Sequence, residues 1–208
     1  MLSRDVKTLE RLFDKLNERF YDGVLPRPII TIQSKGKLNA YGWFSVGKVW
    51  VDKETNTKMH EINVSAEYIA RPIEEVVGTL LHEMVHLHCS YHGIKDTSNR
   101  GIYNNARFKK EAEEHGLVIT KGQYGWHVTE LNDETRKFLK EIHAKDFTLF
   151  RYGQGSSENK TNGDGVNATQ RKKSSIKWVC PCCGSIARTT KKANLVCGDC
   201  YVRMVEAV

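Results

Sequence analysis

Three residues in the string LLHEMVHLH have the types and the spacing of a hydrolytic zinc site. His82 and His86 are four residues apart, so on an α-helix their imidazoles project from nearly the same face, offset by roughly 40°. Zinc accepts histidine nitrogen, and Glu83 can take a proton from a water molecule that the metal activates. Two surface histidines with a chance glutamate are the alternative, but a mostly apolar helix would then bury three polar groups without partners. The motif therefore predicts peptide-bond hydrolysis with Glu83 as the catalytic base.

Four cysteines near the C-terminus predict a second zinc site, of a structural kind. Cys180 and Cys183 form one C-x2-C pair, Cys197 and Cys200 form another, and 13 residues separate the pairs. This spacing is typical of two turns that hold one tetrahedral zinc ion. Cys182 is an odd thiol that could compete as a ligand, although Cys180 with Cys183 gives the usual spacing. The segment has little apolar core, so we expect metal binding to supply its folding energy.

The helices and strands that position the histidines are predicted from hydrophobic periodicity and from residues that begin or end such elements. The helical pattern predicts helices over 7–20, 72–92, 105–116 and 133–145. Short β-rich pieces between 29 and 51 predict antiparallel strands, and the segment EINVSAEYI predicts a further edge strand. His88 is rotated about 200° from His86 on the central helix, so we expect a core or surface role for it and for His92. The fold class is α+β, with helices packed on a small antiparallel sheet.

Composition divides the chain into a globular domain at 1–150, a basic linker at 151–177 and a zinc ribbon at 178–208. The net charge of +7 is concentrated in the tail, because residues 1–150 carry 22 Lys and Arg against 21 Asp and Glu, whereas 151–208 carry 10 against 4. No apolar run reaches the roughly 20 residues that span a bilayer, and the N-terminus lacks a secretory apolar core. We predict a cytoplasmic protein without membrane contact; the oligomeric state is open.

The basic tail also predicts contact with DNA. Lysine and arginine side chains neutralise phosphates, and an aromatic side chain such as that of Trp178 can stack on bases. The basic residues concerned are Arg171, Lys172, Lys173, Lys177, Arg188, Lys191 and Lys192. A ribbon that only packs on the first domain is the alternative interpretation.

Taken together, these motifs resemble the SprT-like family of zinc metallopeptidase domains, related to bacterial SprT and to the Spartan proteases. The resemblance rests on LNERFYDGVLP, AYGWFS, EINVS, TLLHEMVH, GIKDTS and the four-cysteine ribbon. It implies a minigluzincin-like domain, a catalytic-type zinc ion beside the structural one, and a protein substrate bound or crosslinked to DNA, as in DNA repair.

The resemblance also identifies a departure at the third metal ligand. The family has a zinc-binding histidine just before the next helix, and here Asn104 occupies that position within the string YNNARF. An amide oxygen binds zinc more weakly than imidazole. Three alternatives follow: Asn104 binds the metal directly or through water, another histidine such as His92 or His115 replaces it, or the site is degenerate. The second functional hypothesis is accordingly a catalytically impaired, zinc-stabilised DNA-binding or adaptor protein.

Overall fold

The structure is a computed structural model that describes residues 1–34, 40–152 and 176–207. The chain divides into two compact units, Met1–Ser157 and Glu158–Val208. Most of the linker predicted at 151–177 falls outside the described residues, which omit 153–175. Among the described helices, none combines the length and the apolar character that a membrane span requires.

The described residues of the first unit form four α-helices and nine short strands in a mixed α+β arrangement. The helices are α1 (Leu2–Phe20), α2 (Ile73–Tyr91), α3 (Ala106–Glu114) and α4 (Asp133–Glu141). The strands are β1 (Ile29–Gln33), β2 (Gly42–Phe44), β3 (Trp50–Val51), β4 (Lys58–Met59), β5 (Glu61–Ser65), β6 (Thr97–Ser98), β7 (Tyr103–Asn104), β8 (Leu117–Gly122) and β9 (Gly125–Leu131). All four helices match the predicted positions to within a few residues, except that α1 begins five residues earlier and α4 ends four earlier.

Helix α2 is the centre of the hydrophobic core. Its sequence is apolar on most sides, and Val76, Leu80, Leu81 and Met84 are all completely buried. Helix α1 supplies the complementary apolar stripe through residues such as Phe13, since its apolar side chains recur at helical spacing. This packing holds the histidine motif on a rigid element.

The sheet beside α2 differs from the prediction. Its strand order is β1-β5-β2, so the EINVS segment forms the central strand β5 and not an edge strand. β5 pairs parallel with β1 and antiparallel with β2, so the sheet is mixed and the predicted antiparallel sheet is wrong. The physical reason is the long excursion between β1 and β5, which gives the chain enough length to return to the same end of the sheet.

A second sheet, in the order β6-β7-β9-β8, positions Asn104. The hairpin of β8 and β9 was not predicted. Its Gly125 lies beside the backbone of Asn104 with φ +84°, and a side chain there would overlap the Asn104 carbonyl. The backbone N–H of Asn104 also donates to the Tyr124 carbonyl at 3.1 Å. The absence of a Cβ at Gly125 therefore permits the close approach that fixes Asn104.

Asn105 connects the start of α3 to the loop before it. Its side-chain oxygen accepts hydrogen bonds from the backbone of Arg107 and Phe108, as an N-cap residue does. Its side-chain nitrogen donates to the Lys95 carbonyl, and its backbone N–H donates to the Asp96 carbonyl at 2.9 Å. Three groups of one residue thus hold the 95–96 loop against α3.

In the second unit, the described residues 176–207 form a small three-stranded sheet beside two cysteine turns. Its strands are β10 (Ile176–Val179), β11 (Ile186–Thr189) and β12 (Val205–Glu206), in the order β11-β10-β12 with antiparallel pairing. Its small core contains Cys180, Cys197 and Met204. So small an apolar core agrees with the expectation that a metal must contribute to folding.

Candidate metal centres

His82 and His86 face the same region from one side of α2. Their ring centroids are 5.1 Å apart. Phe108 of α3 lies against both rings, with a centroid distance of 4.6 Å to each. The two imidazoles predicted from the HEMVH spacing are therefore brought together and restrained by an aromatic side chain.

Hydrogen bonds on the outer ring nitrogens fix how these two histidines face the site. His82 Nδ1 lies 2.8 Å from Thr129 Oγ1, whose hydroxyl donates to the His127 carbonyl, so His82 Nδ1 carries the proton. His86 Nδ1 lies 2.5 Å from Asp96 Oδ2 and likewise donates. Both Nε2 atoms consequently present a lone pair. Metal-binding histidines are typically oriented by outer partners of this kind.

Glu83 is buried beside the two histidines. Only 7% of the residue is exposed, and burial raises the pKa of its carboxyl group to about 7, against the opposing effect of His86. Burial also lowers the pKa of His82 well below its usual value, with His86 and His127 adding to the effect. The edge strand β2 passes close by, since a Cβ on Gly42 would lie 3.4 Å from Glu83 Oε1.

Asn104 lies beside Nε2 of His82. Its side-chain nitrogen is 3.3 Å from His82 Nε2 and 3.3 Å from the Trp126 carbonyl, and the residue is 7% exposed. The structure thus places Asn104 beside the first of the two histidines. A rotation of the amide would exchange its nitrogen for its oxygen at His82, because the two ends have nearly the same shape.

His92 and His115, the other third-ligand candidates, lie elsewhere. Both rings pack against His88, with centroid distances of 4.4 Å and 4.5 Å respectively. Helix geometry directs His88 away from His86. Of the three named candidates, only Asn104 contacts His82.

The donors around His82 fit zinc. Two neutral imidazoles with fixed tautomers and one amide oxygen, after rotation of Asn104, provide three protein ligands and leave a position for water. Substitution of an amide for a third imidazole lowers the expected affinity.

The four predicted ribbon cysteines also come together. One sulfur from each of Cys180, Cys183, Cys197 and Cys200 lies within 4.8 Å of the others, whereas Cys182 is exposed and outside the group. The hydrogen bond to Ser185 is the main cause that lowers the pKa of Cys183. Four thiolates are a closed donor set for structural zinc.

The two cysteine turns have the same backbone design. The N–H of Gly184 donates to the Cys180 carbonyl, and the N–H of Tyr201 donates to the Cys197 carbonyl, both at 2.9 Å. Both donors have positive φ, +75° for Gly184 and +55° for Tyr201. Tyr201 is 85% exposed. The repeated geometry brings each cysteine pair to one side of its turn.

Comparison with known families gives a match over the part of the chain that contains the HEMVH helix. Residues 9–116, just over half of the 208-residue chain, match the model of the SprT-like family. This chain belongs to the SprT-like family. No curated protein and no solved structure matches it.

The matched span of this SprT-like chain includes His82, Glu83, His86, Asp96 and Asn104. Asp96 lies in the GIKDTS string that contributed to the resemblance, but its role as the partner of His86 was not predicted. The hairpin residues that act on His82 lie beyond the span, and so does the ribbon.

Two further groups in the SprT-like chain were missed by sequence reasoning. His127 lies close enough to His82 to influence its pKa. His88, Glu111 and His115 bring one donor atom each to within 4.8 Å of one another. No short motif indicates either group, because α2, α3 and the hairpin assemble them from separate parts of the sequence.

In the ribbon, the structure changes the interpretation of Trp178. Its indole packs against the ribbon core and its Nε1 donates to Thr189 Oγ1 at 2.8 Å. The Trp178 side chain therefore contributes to the packing of the ribbon. Arg188, Lys191 and Lys192 are exposed.

Proposed function

We propose that this SprT-like protein is a zinc-dependent metalloendopeptidase with Glu83 as its general base. The observation that carries the proposal is the pair of imidazoles with outward-held Nδ1 atoms and inward-facing Nε2 atoms, next to a buried carboxylate. A purely structural site has no use for a carboxylate that is not itself a ligand. The metal would be held by His82, His86 and Asn104.

In this proposal Glu83 moves the proton. When bound, zinc would polarise the peptide carbonyl and acidify a water molecule. Glu83 accepts the proton of the attacking water and returns it to the leaving amine. Asp96 and Thr129 hold the two histidines in the required tautomer throughout. The burial of Glu83 limits competing solvent around the proton-transfer path.

The substrate would bind as an extended strand along β2. Within the described residues, β2 pairs on one side only, with β5, and its residues are partly exposed. An unpaired strand edge offers backbone donors and acceptors to a peptide. Because Gly42 of β2 lies beside Glu83, a peptide on this edge would pass close to the catalytic carboxylate.

We further propose that the substrate is a protein associated with DNA. Support comes from the excess of basic residues in the tail, with 10 Lys and Arg against 4 Asp and Glu in residues 151–208. The ribbon's Arg188, Lys191 and Lys192 are exposed. Such a surface would bind phosphates without strong sequence preference. Retention of the full-length protein on DNA should decrease steeply with added salt.

Cleavage of a DNA-binding protein, with and without DNA, tests the enzymatic proposal. The wild type is compared with Glu83→Gln, which removes the base while keeping the shape of the side chain. Glu75→Gln is the matched control, since Glu75 is an exposed residue of the same helix. Cleavage by the wild type and Glu75→Gln but not by Glu83→Gln supports the proposal. Equal inactivity of all three proteins, each loaded with zinc, refutes it.

A catalytically impaired adaptor is the second candidate, and one observation favours it. The Asn104 side-chain nitrogen faces His82 Nε2, so in this arrangement the lone pair needed by a metal receives an amide hydrogen bond. A protein in that state would retain the ribbon zinc and DNA binding without turnover. A zinc-loaded wild-type protein that binds DNA but does not cleave the test protein would identify this case.

A further inference from the structure

A second histidine cluster lies on the side of α2 that faces away from the HEMVH motif. His88 Nε2 is 3.3 Å from Glu111 Oε2 of α3. The ring of His115, the residue that ends α3, is 4.5 Å from that of His88 between centroids. Each residue offers one donor atom, and the three atoms lie within 4.8 Å of one another. The three groups converge on one point, although no short sequence motif predicts the cluster.

The cluster is sheltered, and one of its polar atoms has no partner. The side chains of His88 and Glu111 are only 13% and 12% exposed. His88 Nδ1 is buried and makes no hydrogen bond within the described residues. Buried polar atoms almost always have a partner, so the hydrogen bonds of this cluster are incomplete within the described residues.

His115 is held in a state that suits metal binding. Its Nδ1 donates to the Glu111 carbonyl at 2.6 Å, which leaves the lone pair on Nε2. Its ring stacks on Tyr21, with centroids 4.2 Å apart and planes within 10°. Glu111 and His115 are four residues apart on one helix and so share a face. The ring therefore has little freedom to turn away.

We propose that His88, Glu111 and His115 bind a divalent transition metal such as zinc, at a site separate from the HEMVH motif and from the ribbon. Two imidazoles and one carboxylate are a donor set that zinc accepts, with water as the fourth ligand. The ring of His92 packs on His88 at 4.4 Å between centroids, but His92 is not one of the three residues whose donor atoms converge. A hydrogen-bonded polar cluster without metal is the competing explanation.

A metal in this position would join α2 to α3. Helix α3 also carries Phe108, which contacts both His82 and His86, and begins just after Asn104. The ion would therefore stabilise the helix pair that shapes the proposed catalytic centre without taking part in its chemistry. The site does not depend on peptidase activity.

Zinc content per chain tests the site in the full-length protein. Wild type, Glu111→Gln and Glu113→Gln are loaded with zinc, freed of excess metal and measured by mass spectrometry of the metal. Glu113 is the matched control, because it is an exposed residue of α3 that pairs with Lys109. We expect Glu111→Gln to bind one zinc ion fewer than the other two. Equal zinc content in a folded Glu111→Gln protein overturns the proposal.

A measurement on the protein with an intact cluster covers the case in which Glu111→Gln fails to fold. Nitrogen NMR of the imidazole side chains is recorded in full-length His86→Gln, before and after zinc is added. We expect the resonances of His88 and His115 to shift, while the exposed His143 remains unchanged. Unmoved resonances of His88 and His115 would establish a polar cluster only and overturn the proposal.

Discussion

Replacement of Asp96 by alanine should weaken zinc binding at the HEMVH site without changing any ligand. The carboxylate accepts from His86 Nδ1 at 2.5 Å, and the two side chains are 14% and 15% exposed, so water screens the bond weakly. A hydrogen bond to a charged group contributes about 1.5–3 kcal/mol. At roughly 1.4 kcal/mol per factor of ten, its loss corresponds to at least about 10-fold weaker binding. Measured losses for such partners reach about 100-fold.

The conservative variant separates charge from geometry. Asp96→Asn keeps an oxygen that can accept from His86 Nδ1 but loses the negative charge, so its affinity should lie between those of wild type and Asp96→Ala. The exposed Asp133 provides the control variant Asp133→Ala. Affinity is measured by competition with a chromophoric chelator in full-length protein whose ribbon is already loaded.

A null result would be informative for the assignment of Asp96. If folded Asp96→Ala binds zinc within twofold of wild type, the carboxylate does not orient a metal ligand. The backbone contact of Asp96 with Asn105 is retained in every variant, so it cannot produce the expected difference.

Three further perturbations test other parts of the molecule. Asn104→His should raise zinc occupancy at limiting metal, because imidazole is the stronger ligand; unchanged metal content would contradict this. Cys197→Ser should lose one zinc ion and the folded NMR signals of residues 176–207, whereas Cys182→Ser should keep both; a folded, zinc-loaded Cys197→Ser ribbon would refute the four-sulfur site. Gly125→Ala should lower stability by about 1–3 kcal/mol in thermal unfolding, because φ is +84° there, whereas Gly47→Ala, with open space around it, should not. Equal stabilities would contradict that assignment.

The parts of the site that sequence could predict are those set within one local element. The HEMVH spacing places His82 and His86 on one face because a helix has a fixed period. The two C-x2-C pairs likewise depend on one tight turn each. In both cases neighbouring residues carry the whole geometric requirement, so residue types and spacing are sufficient.

Partners contributed by other elements could not be predicted in this way. Thr129 is 47 positions from His82 and Asp96 is 10 positions from His86. Their contacts exist because the β8–β9 hairpin and the 95–96 loop pack against α2. The His88 cluster similarly requires the angle between α2 and α3. Hydrophobic periodicity reports which face of a helix is buried, not which polar group meets it.

The prediction of the strand order was wrong for a related reason. Alternation and β-branched residues identified the segments of β1, β2 and β5, but the pairing partner of each strand depends on the path of the chain between them. The parallel pairing of Ile30 with Ile62 joins residues separated by the whole β2–β4 excursion. Turn signals in the sequence favour neighbouring antiparallel strands, and they misled the assignment here.

Helix α2 has neighbours on every side along most of its length. Residues 76–89 are all buried or only partly exposed. Each turn contributes to the core, to the HEMVH site or to the His88 cluster. A saturation mutagenesis map of this helix should therefore lack the familiar alternation of tolerant and intolerant positions, and show one nearly unbroken block of intolerance from Val76 to Cys89.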